Sequence, residues 1–163
     1  TFQTKLNWKK IPIAQDNLST GFIKFAQKHN IDNNAIAKWQ KLDEDKIDDL
    51  ENILDFDIIA AHQDISLAYI KANITKFKDF NLLIINSNNL DLEFINNNIS
   101  KIDFKLLSRY QYLDHDFIIN NIDKLDIELL LKYQELEINT INYIINLNNN
   151  IDNKTYWDLI WQF

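Results

Sequence analysis

One ten-residue pattern recurs six times in this chain, and its spacing constrains the fold more than any single residue does. The segments LNWKKIPIAQ (from Leu6), IDNNAIAKWQ (from Ile31), LDFDIIAAHQ (from Leu54), KDFNLLIINS (from Lys78), IDFKLLSRYQ (from Ile102) and LDIELLLKYQ (from Leu125) begin 25, 23, 24, 24 and 23 residues apart. They share an order: apolar, Asp or Asn, aromatic, two variable, Ile or Leu, two variable, aromatic or small, Gln. A second half follows each: LSTGFIKF at Leu18, LDEDKIDD at Leu42, ISLAYIKA at Ile65, LDLEFINN at Leu90, LDHDFIIN at Leu113 and LEINTINY at Leu136. A fixed period of this size is the signature of stacked supersecondary units.

Each half reads as a short helix. Apolar positions such as Phe104, Leu107 and Tyr110 recur every three residues, and outside the first copy the interiors lack Gly and Pro. Asp32, Asp55, Asp79, Asp103 and Asp126, with Asn7 in the first copy, stand where a side-chain oxygen can cap a first helix; Ser19, Asp43, Ser66, Asp91 and Asp114 stand before the second helices. A helix of about 8 to 10 residues is marginal alone in water. Neighbouring copies must therefore supply its stability. The expected fold is all-α: a solenoid of about six two-helix repeats near residues 6–30, 31–53, 54–77, 78–101, 102–124 and 125–147, able to curve, with residues 148–163 as a C-terminal cap. Its length suits one domain.

Composition narrows the chemistry. With one Gly and one Pro, the chain cannot build a P-loop, a dinucleotide-binding turn or a nucleophile elbow. No Cys means no disulfide, thiolate metal site or cysteine nucleophile. The 46% hydrophobic content predicts a real core. The 27 Ile, 23 Asn and 16 Lys, against one Arg and no Val or Met, are what A/T-rich codons supply, as in some large viruses, phages and low-GC bacteria. No apolar run reaches the roughly 18 residues that span a bilayer, and TFQTKLNWKK lacks a signal-peptide core. A soluble, cytoplasmic, non-secreted protein is expected.

The alternation of LDFxLLSxYQ with LDxDFIxxNxDK resembles the short helical repeats, typified by LSExFIxxxxDxLDWxxISxYQ, of uncharacterised proteins from large DNA viruses and bacteriophages. The resemblance runs from Leu6 to about Ile145 and is closest over 102–134. Copies two and four depart from it, with Asn33 at the aromatic position and Asn86-Ser87 in place of aromatic-Gln. It implies a viral or phage scaffold without shared catalytic residues, acting in the host cytoplasm.

Charge is uneven. Residues 1–41 carry +5, residues 42–64 carry −8 and the remainder −4. The acidic cluster is Asp43, Glu44, Asp45, Asp48, Asp49, Glu51, Asp55 and Asp57. Its functional reading is docking to a basic groove; its structural reading is a solvated helix face. Direct nucleic-acid binding is disfavoured, because phosphate neutralisation needs a basic surface. His29, His62 and His115 lie at unrelated phases of the repeat, and none forms a metal-ligand spacing. Asp114-His115-Asp116 reads as a cap with polar neighbours. Neither a metal, a cofactor nor an enzymatic activity is expected.

Two regularities remain. The Gln at 15, 40, 63, 111 and 134 reads as closing a local hydrogen bond at the first helix's end. Trp8, Trp39, Phe56, Phe80, Phe104, Tyr110, Phe117 and Tyr133 read as stacked core. The segment TYWDLIWQF is apolar through Trp157, Ile160, Trp161 and Phe163, at the spacing of a partial seventh copy. It is expected to fold back as a cap, or to dock onto a partner, a second copy or a missing continuation. The functional expectation is a non-catalytic protein-binding module. Its alternatives are an acidic antagonist that blocks the basic nucleic-acid groove of a host-defence protein, and a virion or assembly component. Candidate partner contacts are the eight acidic residues above with Trp157, Trp161 and Phe163.

Overall fold

The computed structural model describes residues 7–88 and 90–147. These are helical, with turns between the helices and no strand. The helices are α1 Ile11–Ala14, α2 Thr20–Ala26, α3 Asn33–Trp39, α4 Glu44–Asp49, α5 Phe56–His62, α6 Leu67–Ala72, α7 Phe80–Asn86, α8 Leu92–Asn97, α9 Phe104–Tyr110, α10 His115–Asn120, α11 Ile127–Tyr133 and α12 Ile138–Leu147. From copy two onward each ten-residue pattern gives one seven-residue helix, and each second half through α10 gives one of six residues. The first helices are shorter than the sequence suggests, since the Gln and the segment after it are extended, and α6 and α8 pass into 3-10 turns at Ile74–Lys76 and Ile99–Lys101.

Capping explains why the helices start where they do. The side chains of Asp32, Asp55, Asp79, Asp103 and Asp126 accept from backbone N–H groups in the first turn of α3, α5, α7, α9 and α11. Ser19, Asp43, Ser66, Asp91 and Asp114 do so for α2, α4, α6, α8 and α10. Asn7 does not. Pro12 sets the start of α1 at Ile11, leaving Lys10 at the cap with no side-chain bond. Proline has no N–H to give a carbonyl one turn back, so it is tolerated only in a first turn.

At the far end of the second helices, the Nδ2 of Asn73, Asn98 and Asn121 donates to the carbonyls of Tyr69, Phe94 and Phe117, closing α6, α8 and α10. Left-handed backbone occurs at Asn17 and Asn30, a conformation asparagine tolerates better than most residues. Copy two lacks the aromatic of the pattern. There the Asn33 Oδ1 accepts instead from the Gln27 Nε2 at 2.8 Å.

The chain divides into two compact units between Ser87 and Asn88. The division falls inside copy four, directly after the Ser87 that stands at the glutamine position. In the first unit α1 packs on α3, α3 on α5 and α5 on α7, so first helices stack on first helices. In the second unit α9 packs on α11 and α10 on α12. The buried residues are those of the repeat: Phe56, Ile59 and Ala60, then Phe80, Leu83 and Ile84, from first helices; Ile47, Ile70, Ile95 and Ile118 from second helices; and the connecting Leu42, Leu54, Ile65, Leu90, Leu113 and Leu125.

Candidate interaction surfaces

The recurring glutamine is a clamp between copies. Gln40 Nε2 donates to the carbonyls of Pro12 (2.6 Å) and Gln15 (2.7 Å), while its Oε1 accepts from Leu18 N–H at 2.8 Å. Gln63 repeats this one copy on, donating to Ala37 and Gln40 and accepting from Leu42. In the second unit Gln134 donates to Leu107, Ser108 and Gln111 and accepts from Leu113. The expected local bond is thus corrected to one reaching 21 to 28 residues back in sequence. A carboxamide suits the task because it donates and accepts from one rigid group. It therefore closes one first helix and seats the loop that follows.

The acidic cluster is a second seam. The Glu44 carboxylate accepts from Ser66 N–H, Asp48 from the Tyr69 hydroxyl at 2.5 Å, and Asp57 from both Lys78 and Asp79 N–H. Glu51 pairs with Lys76 at 2.6 Å, and Asp49 with Lys24 at 3.6 Å. Asp43 and Asp55 are caps, and Asp43 also lies 3.6 Å from Lys46. Asp45 is exposed. Most of the cluster therefore joins copies one to four. Trp157, Trp161 and Phe163 lie outside the described residues.

Tyr69 sits on this seam, buried against Asp48. Burial raises its phenol well above the ordinary 10; the hydrogen bond to Asp48 and the charges of Asp48, Glu44 and Glu51 raise it further. With the folded value above the unfolded one, the contribution is full below pH 10 and is lost as pH rises from 10 toward the folded value. The native state then holds a proton that the unfolded chain has released. Unfolding free energy of the native chain should fall against that of Tyr69→Phe above pH 10, by up to about 1.4 kcal/mol per pH unit. Parallel urea titrations at pH 9 and 11 measure this; equal slopes would refute it.

The aromatic residues divide. Phe56, Phe80 and Phe117 are buried, and Phe104 is half-buried. Trp8 is half-buried, stacked on His29 at 4.2 Å and packed near Phe22 and Phe25. The residue before the glutamine, however, is not core: Trp39 is 54% exposed, Tyr110 39% and Tyr133 44%. This corrects the expected stacking. At 3.6 residues per turn the ninth pattern position lies roughly 110° around the helix from the centre of the buried third, sixth and seventh.

Each of these exposed rings has a cation over it. Lys38 Nζ lies 5.0 Å from the Trp39 ring; Arg109 Cζ lies 5.1 Å from the Tyr110 ring and 4.7 Å from the Tyr133 ring; Lys132 Nζ lies 5.3 Å from Tyr133. The sequence signal is the triplet cation-aromatic-Gln, present as KWQ at 38–40, RYQ at 109–111 and KYQ at 132–134. Reading the aromatic and the Gln without the cation before them concealed it.

The histidines take separate roles. His115 Nδ1 is 2.8 Å from Thr140 Oγ1, His29 stacks on Trp8, and His62 is exposed. Among the described residues no three His, Asp or Glu gather as a metal site, and no helix is long and apolar enough to cross a membrane.

The described residues define an all-helical protein in which side chains of later segments bind backbone groups of segments 21 to 28 residues earlier within each unit. No protein-family model, curated protein or solved structure matches it.

Proposed function

We propose that this chain is a small α-solenoid that acts as a non-catalytic protein-binding module of viral or phage origin in the cytoplasm of a host cell. The observation that carries this reading is the repetition of one inter-copy joint, the glutamine clamp, at Gln40, Gln63 and Gln134. A joint that recurs from copy to copy lets an array grow by addition of copies, and arrays of this kind present extended surfaces suited to macromolecular partners. The acidic-antagonist alternative is the weaker of the two, because the carboxylates it needs already hold backbone and side-chain groups of neighbouring copies.

Two measurements test the proposal. Deleting residues 54–77, one whole repeat, should leave a helical chain that unfolds cooperatively at a lower denaturant midpoint. A single globular core would instead lose its helical circular dichroism. Capture from host lysate on the immobilised chain, followed by reconstitution with the purified captured protein, should give a saturable complex. Capture equal to that on heat-unfolded chain would refute the binding role.

A further inference from the structure

We infer that the edge formed by the last turns of α9 and α11 docks an acidic peptide segment of a partner protein, with the Arg109 guanidinium seating a carboxylate between the rings of Tyr110 and Tyr133. This deepens the protein-binding reading and rests on it. Arg109 is the only arginine in a chain that otherwise uses lysine sixteen times. The distinction matters physically: a guanidinium stacks flat on rings and keeps five N–H donors around its rim, which fit a carboxylate two at a time, whereas an ammonium does neither.

Folding does not account for this placement. The carbonyls that end α9 are taken by Gln134, so the guanidinium is not needed to close the helix. Among the described residues neither Arg109 nor Lys132 has a carboxylate at ion-pair distance. Three tyrosines are exposed here, Tyr112 to 69%. Tyrosine and arginine are the residue types in which interfaces concentrate binding energy. Rings already held by a stacked cation lose little further freedom when a partner arrives.

Charge selects the occupant. The last turns of α9 and α11 carry Arg109 and Lys132 as their charged residues, and both are cations. One fork flanked by one lysine suits a short acidic segment. A nucleic-acid strand needs a continuous basic track, which one arginine and one lysine do not provide.

The test titrates blocked hexaglutamate into the 15N-labelled full chain, with hexaglutamine and a six-nucleotide oligouridylate in parallel. Hexaglutamate should shift amides at 108–112 and 131–135 and saturate. Arg109→Lys, which keeps the charge and loses the fork, should weaken it about fivefold, and Tyr133→Ala about tenfold. An unshifted Leu113 amide, held by Gln134, shows that each variant is folded. The inference is overturned if hexaglutamate shifts nothing there, if Arg109→Lys binds as well as the native chain, or if oligouridylate binds more tightly. The captured partner separates the two proposals: retention by an Arg109→Ala/Tyr133→Ala chain overturns this edge and leaves protein binding standing, whereas capture of no partner by the native chain refutes the binding role itself.

Discussion

Gln40→Ala should lower unfolding stability by about 2 to 4 kcal/mol, with a matching drop in urea midpoint. The side chain is 2% exposed and serves three backbone groups at once: the carbonyls of Pro12 and Gln15 and the N–H of Leu18. Truncation removes all three partners while the helices around them still exclude water, and each orphaned group costs roughly 1 to 3 kcal/mol before any water enters. Gln40→Glu should be worse than its near-identical shape suggests, because a carboxylate would face two carbonyl oxygens with no proton to offer. Gln63→Ala should cost less than Gln40→Ala, its side chain being only part-buried. A loss below about 0.5 kcal/mol for Gln40→Ala would show that the clamp is replaceable by solvent.

Leu107→Ala carries the other large effect, about 2 to 5 kcal/mol. Leu107 is fully buried in α9, which packs on α11. Helices of this length have almost no intrinsic stability, so a cavity there weakens the contact that holds both. One turn further along the same helix, Tyr110→Ala should cost no more than about 0.5 kcal/mol, as expected where a side chain is exposed. Guanidinium unfolding of both variants measures the contrast. Equal losses would return Tyr110 to the core.

What could be read beforehand was whatever is local. The period, the two-helix unit and ten caps follow from residues within three positions of what they bind, and the caps formed as expected at all positions except Asn7. That exception came from Pro12, whose missing N–H moved the start of α1. Contacts one period away are not legible in this manner. Spacing gives Gln40 a helix end beside it, and only the stacked neighbour shows that its carboxamide reaches Pro12 and Leu18 instead. The acidic cluster was similarly opaque. A run of like charge reads as a solvated face until Ser66, Tyr69 and Lys76 of the next copy are placed against Glu44, Asp48 and Glu51. Position nine of the pattern is deceptive for a different reason: an aromatic counts as apolar in any periodicity, while the 100° step places it at the side of the helix.

The described glutamine clamps all point the same way, from a later copy to an earlier one. On the ribosome this direction acquires meaning. A copy that clears the exit tunnel with Gln40, Gln63 or Gln134 delivers the carboxamide that finishes its predecessor, so these steps zip shut behind the growing end. At those steps a translational pause strands one unfinished joint instead of a whole collapsed chain.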